Sequence, residues 1–249
     1  LAAVMFLLFT DFSVFIVAKS AAETLLAEYQ SKIIIVAKTA AIMTNADLHK
    51  TLMMVSQKNS PAYLEVQAPY RKILQVNPKI AYVYTAILKE GRAYFVIDTQ
   101  QPRTESASEE YGGTRDDTAK VMELYEDASP RFLESLETGK PTVDDKVYED
   151  KWGSFISGYA PFFDSTGKQV GSVGVDFDAA DYVATINSIW MVFSYGCLIS
   201  FALTVVIYLE IVDFRRKQMI RRELRDGFNY EMKGHTKLIS DTSKTMYKD

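Results

Sequence analysis

Residues 188–209, SIWMVFSYGCLISFALTVVIYL, run for 22 positions without a charged side chain. At about 1.5 Å of rise per residue, such a helix covers the roughly 30 Å hydrocarbon core of a bilayer. Buried helices of water-soluble cores rarely stay uncharged for so long, so the stretch is read as a transmembrane helix. Trp190 and Tyr208 stand near its two ends, where amphipathic rings favour the interface. Gly196, Ser200 and Thr204 recur every fourth residue and form a narrow face that a second helix can approach closely. Just beyond, residues 215–225 hold six basic side chains, Arg215, Arg216, Lys217, Arg221, Arg222 and Arg225. The positive-inside rule assigns that flank to the cytoplasm and everything before residue 188 to the outside.

A second apolar stretch, LAAVMFLLFTDFSVFIV (1–17), is broken only by Asp11. The chain starts on Leu rather than Met, so this helix is expected to be the truncated start of a first transmembrane anchor. A signal peptide is the alternative. It lacks a basic leading region here, and only the weak Ala18-Lys19-Ser20 run follows as a cleavage site. A carboxylate in mid-span costs about 2.5–3.5 kcal/mol on insertion scales. Asp11 is therefore expected to turn toward Thr10, Ser13 or a neighbouring helix. Charge follows the same division: the formal balance is −6 over residues 18–187 and +3 over 210–249. The expected organisation is transmembrane helix 1 (1–17), an outer domain (18–187), transmembrane helix 2 (188–209) and a cytoplasmic connector (210–249), in a bacterial inner membrane. The overall balance of −4 excludes a strongly basic nucleic-acid binder. Cys197, the single cysteine, excludes a disulfide-stapled module.

The outer region begins as one long helix, with no Gly or Pro before Pro61. Leu26, Tyr29, Ile33, Val36, Ala40 and Met43 recur at alternating steps of three and four, a seam that fits either a partner helix or the domain's own sheet. Ser60-Pro61 starts a second helix, roughly 61–76, which Asn77-Pro78 ends. The period then changes. Residues 78–90 and 92–99 are β-branched and aromatic around Gly91, a hairpin, and 152–163 with 169–177 form another around Gly167. Residues 100–117 read as a loop, and 118–138 as one or two helices broken at Ser129-Pro130. The expected fold is α+β: an antiparallel sheet backed by a long N-terminal helix, with transmembrane helices on either side.

The segment DKWGSFISGYAPFFDSTGKQVGSVGVDFDAADYVATI (150–186) resembles the C-terminal half of a single Cache domain, the PAS-like extracytoplasmic sensor also called PDC. A strand ending in an APxxD turn leads there through a GKxxGxxGxD strand into the second transmembrane helix. NPKIAYVYTAILKEGRAYFVIDT (77–99) is similar to the family's first hairpin, and YGGTRDDTAKVMELYEDA (111–128) to its pocket-covering loop and helix. The resemblance spans about 20–186. It implies a small molecule held between sheet and loop, in a bacterial two-pass transmembrane receptor.

Strand alternation sets Val173, Val175 and Phe177 toward the long helix, with Ser172, Gly174 and Asp176 on the other face. Ser157 and Tyr159 match the polar face. Tyr82 and Tyr84 fall in phase, as do Tyr94 and Asp98. The candidate ligand cup is lined by Tyr84, Asp98, Ser157, Tyr159 and Asp176, lidded by the loop carrying Tyr111, with Trp152 at the rim. The same tyrosines also suit a core, Asp176 a brace for the turn into the second span, and Asp98 a strand-end turn. Two carboxylates favour an amine or other cation, because an unpaired buried charge is costly. Arg103 or Arg115 would add a partner for a carboxylate and admit amino acids.

No catalytic constellation, cofactor motif or metal-ligand spacing is present, and the two histidines, His49 and His235, fall on opposite sides of the expected membrane. The tail 210–249 reads as a helix lying on anionic lipid or as a connector to an output domain. The functional expectation is a sensor that binds a small amine, amino acid or organic acid outside, acts as a homodimer in the bilayer, and relays to a kinase, cyclase or chemoreceptor module. The alternative is an anchored exported domain that binds a partner protein.

Overall fold

The computed structural model describes residues 2–101, 118–150 and 153–246. Tyr111 and Trp152, with Arg103 and Arg115, lie outside them. The chain divides into two compact units, 19–189 and 1–18 with 190–249.

The helix α1 (Ala2–Met43), which belongs to the larger unit from Lys19 onward, is followed by the short α2 (Ala46–His49), a 3₁₀ turn at Val55–Gln57 and α3 (Pro61–Val76). Ser60 caps α3, accepting from the Tyr63 N–H at 3.2 Å, and Pro61 takes the first helical position, where no N–H is needed. Strands β1 (Ile80–Lys89) and β2 (Arg92–Gln100) form the first hairpin, with Glu90 and Gly91 at positive φ. After α4 (Pro130–Thr138), β3 (Thr142–Val143), β4 (Tyr148–Asp150), β5 (Gly153–Phe163) and β6 (Gln169–Asp178) follow, and α5 (Ala180–Met246) closes the chain. Every described pairing is antiparallel, in the order β2-β1-β6-β5-β3, with β4 also on β5. The architecture is thus α+β.

One sheet face meets α1 and α3. Ala37 and Ala40 are fully buried there, against Val173, Val175, Val83 and Ala160 among others, and Ile33 is buried with Ile156 and Ala179. The seam of α1 is therefore occupied by the domain's own sheet along most of its length, and only Met43 at its end is exposed. Gly158 marks the closest approach: a Cβ at that position would stand 2.5 Å from a methyl of Ile33, so β5 carries no side chain where the helix crosses.

Residues 118–128 are not helical, contrary to the expectation from sequence. They form turns on either side of a short strip, 122–125, that lies along β2: Met122 N–H donates to Phe95 O, Phe95 N–H to Glu123 O and Tyr125 N–H to Ala93 O, at 2.7–2.9 Å. The edge of β2 has unpaired backbone groups, and this strip satisfies them.

In the smaller unit, Phe15 packs its ring on Trp190 and Phe193. Thr10 and Ser13 donate to their own helix, at Leu7 O and Phe9 O, whereas Asp11 Oδ2 accepts from Ser200 Oγ at 2.9 Å. Both α1 and α5 contain segments long and apolar enough to cross a membrane by length and composition.

Candidate functional site

The other sheet face carries the residues of the candidate site. Register places Asp98, Tyr84, Gly174 and Tyr159 in one row across β2-β1-β6-β5, and Gln100, Tyr82, Asp176 and Ser157 in the next. All five described residues expected to line the cup therefore share one face. Tyr84 lies flat over Gly174, where any Cβ would collide with its ring.

A small cavity opens between Tyr82, Tyr84, Phe95, Asp98, Tyr125 and Asp176. It offers only about 10 Å³ to the centres of water-sized spheres, room for roughly one water-sized group. Aromatic rings fill the rest. Tyr84 meets Phe95, Tyr125 and Phe132 edge-on at 5.4–5.8 Å, and Phe95 stacks on Tyr125 at 4.4 Å.

Asp98 and Asp176 are each 5% exposed. The Asp98 carboxylate accepts from Ala119 N–H at 2.7 Å, which ties the stretch that begins at 118 to the cup. Behind it, the Asp98 carbonyl accepts from Tyr63 and Gln67 of α3. Burial pushes the Asp98 carboxyl up from 3.8 to about 7, against the pull of the Ala119 N–H and the Lys58 charge. The Lys58 ammonium itself donates to Thr118. Tyr84 is held far above its usual range, by burial first and then by the charge of Asp176, and its hydroxyl makes no well-aligned hydrogen bond among the described residues. Among the described residues the lining thus combines two acids with four aromatic rings.

Ser157 and Tyr159 share the face but serve a different group. Asp144, 4% exposed, accepts from the hydroxyls of Ser129 and Tyr159 and from the Ser157 N–H, at 2.9–3.2 Å. Ser129 also caps α4, accepting from Phe132 N–H, and Gln30 of α1 donates to the Asp144 carbonyl at 2.8 Å. Asp144 therefore joins α1, β5 and the start of α4. Burial raises its carboxyl to about 6. Its position in a short polar run, PTVDDK, gave no sequence signal that it would be buried.

Tyr94 does not accompany Asp98; Phe95 does. A bulge between Thr85 and Ala86 of β1 and residues 95–97 of β2 inserts Val96 as an extra residue and shifts the phase. Thr85 stabilises it, its hydroxyl accepting from Ile97 N–H at 3.0 Å and pairing with His49 Nε2 at 2.8 Å. His49 is a buried, neutral core residue whose affinity for a proton burial has pushed down to about 3. Among the described residues no cluster of His, Cys, Asp and Glu could hold a metal ion.

No protein-family model matches the chain. No curated protein matches it either. Solved structures similar to it are sensory and ligand-binding domains of chemoreceptors and histidine kinases. The sensory domain of the Campylobacter jejuni chemoreceptor Tlp3 is 20% identical, over 70% of this chain and 66% of that one, with a TM-score of 0.35. The same domain with isoleucine bound is 19% identical, over 72% and 66%, with a TM-score of 0.36. The E. coli DcuS sensor domain is 16% identical, over 66% of this chain and 98% of that one, with a TM-score of 0.42. The chain spans just under two thirds of the Tlp3 domain's length.

Proposed function

We propose that this chain is the sensing part of a two-pass bacterial receptor of the Cache type. In this reading the unit 19–189 stands outside the inner membrane, α1 and α5 anchor it, and the basic residues after 209 mark the cytoplasmic side. The ligand is a small cation, an amine first and an amino acid through its ammonium group second; a small organic acid suits the cup least. The observation that carries this reading is the pair of buried acids, Asp98 and Asp176, set among aromatic rings on one sheet face.

The cup is closed around its rings, so a ligand larger than one water must move them. Movement at Asp98 reaches residues 118–128 through Ala119, and movement at Tyr84 reaches Phe132 of α4. Strand β6 carries Asp176 and leads into α5 within two residues, which gives the bound state a covalent route to the second span. A ligand shifts such an equilibrium only by binding the two arrangements with different affinity. Two copies pair in this reading, and Ile35 and Ile42, exposed one heptad apart on α1, support that arrangement. The output module, a kinase, cyclase or chemoreceptor signalling domain, follows the connector helix.

The test is a thermal-shift panel of amines, amino acids and short organic acids on the full chain in nanodiscs. A ligand at 100 times its Kd stabilises by about 2.7 kcal/mol, a shift of several degrees. Stabilisation by compact amines, lost in Asp98→Asn, is expected. Silence across the panel, or stabilisation by organic acids alone, contradicts the reading.

A further inference from the structure

In the smaller unit, burial along α5 recurs at Trp190, Phe193, Cys197, Ser200, Thr204 and Ile207, each partly or fully covered, in alternating steps of three and four. That is the seam of a helix packed lengthwise on another. Its partner is α1: Phe15 meets the rings of Trp190 and Phe193, and Asp11 meets Ser200 further along. Residue numbers rise on α1 as they fall on α5, so the two helices run antiparallel.

Ser200 is the most enclosed point of the seam. It is 8% exposed, and among the described residues of this unit only Ala18 is buried as well. A serine or threonine inside a helix can turn its hydroxyl back to a carbonyl one turn earlier. Thr10, Ser13, Ser194 and Thr204 do so here, donating to Leu7 O, Phe9 O, Trp190 O and Ser200 O at 2.7–2.9 Å. Ser200 is the exception, and its hydroxyl crosses to Asp11 Oδ2 at 2.9 Å. In a bilayer no water can replace that donor, and an acid left without one is costly. A slide of α5 by half a turn, about 2.7 Å, carries Ser200 out of reach of Asp11. Thr204, the next hydroxyl on the seam, stands four residues or about 6 Å further along, so positions between leave the acid without a donor.

We infer that Asp11 and Ser200 form a polar clasp that fixes the register of the two spans, and that α5 shifts along α1 only by breaking it. The inference rests on the reading of α1 and α5 as membrane spans and deepens the account of the relay. Strand β6 leads into α5, so a bound state that moves α5 has this hydrogen bond to overcome. Asp11 and Ser200 are positioning residues in this scheme, and the quantity they set is register.

The clasp is tested by where the spans crosslink. Four residues from the contact along each helix, Leu7 and Thr204 come level in the clasped register, and Ile207 lies one seam step beyond. Full-length chain carrying Cys197→Ala and Leu7→Cys, with either Thr204→Cys or Ile207→Cys, is placed in nanodiscs and oxidised with copper phenanthroline. The rate of disulfide formation within one chain is followed by mass spectrometry. The Leu7/Thr204 pair is expected to form at least tenfold faster than Leu7/Ile207. Asp11→Leu, and independently Ser200→Ala, should cut that preference to threefold or less. Asp11→Asn, whose amide oxygen still accepts from Ser200, should keep it within threefold of the parent, and Ser13→Ala, whose hydroxyl serves its own helix, should leave it unchanged. A preference that is absent in the parent, that survives Asp11→Leu or Ser200→Ala, or that is lost equally in Asp11→Asn or Ser13→Ala, overturns the proposal. Because the crosslinking needs no ligand, a silent amine panel counts against the receptor reading alone. A chain that does not enter nanodiscs contradicts the two-span reading, and the clasp with it.

Discussion

Replacing Asp98 with Asn converts the electrostatics of the cup into a measurable stability profile. Burial raises this carboxyl from 3.8 to about 7. Between those values the folded chain holds a proton that the unfolded chain has released. Stability therefore falls as pH rises, by about 1.4 kcal/mol per unit, for a total of about 4 kcal/mol once pH passes 7. Asp144, raised to about 6 by burial, contributes a second decline of about 3 kcal/mol that ends a unit lower. Asn at position 98 can still accept from Ala119, but it brings an amide NH₂ whose burial without partners costs about 1–3 kcal/mol. The variant is thus expected to be more stable than the parent by about 1–3 kcal/mol at pH 8 and less stable at pH 4. Its profile should be flat between pH 6 and 7.5, where the parent's still falls. Thermal unfolding of the full chain in nanodiscs, followed by intrinsic fluorescence at half-unit steps from pH 4 to 8, measures this. Parallel profiles for the two proteins would refute the assignment of a buried, proton-holding acid at Asp98.

The same titration predicts that any amine ligand binds more tightly as pH rises from 6 to 8, by up to about tenfold per unit below 7, with proton release on binding. Calorimetry in two buffers of different ionisation enthalpy checks it, and a pH-independent affinity contradicts it. Asp144→Ala leaves the Ser157 N–H and the Tyr159 hydroxyl without their acceptor, and is expected to destabilise by about 2–4 kcal/mol at pH 5. Ser129→Ala removes the cap of α4 together with one donor to Asp144, for about 1–2 kcal/mol; thermal unfolding reads both. Gly158→Val drives a side chain into Ile33 and is expected to cost about 1–3 kcal/mol or more, whereas Gly167→Ala, in open space at positive φ, costs about 1 kcal/mol of strain.

The parts of the fold that could be read in advance are those set by local rules. Gly91 and Gly167 lie between runs with strand periodicity, Ser60-Pro61 and Ser129-Pro130 are helix starts, and alternation along β6 separates Val173 and Val175 from Gly174 and Asp176. The cup residues share a face because each strand kept its phase up to the bulge. Past it, phase could not be read: the hydroxyl of Thr85, partnered by His49 from a distant helix, captures the Ile97 N–H and turns Phe95 inward instead of Tyr94. The stretch 118–128 has helix-compatible composition, and the open edge of β2 decides its conformation. Tyr125 and Asp144 gain their roles from that edge and from α1, and so were not marked by their neighbours in sequence.

The most direct measurement is an isothermal titration, at pH 8, of the full chain with the compact amine that stabilises it most, repeated on Asp98→Asn and Asp176→Asn. The account predicts saturable binding at one site per chain, weakened at least tenfold in each variant. Unchanged affinity in both variants, or binding confined to anions, would contradict the claim that this sheet face is a receptor for cations.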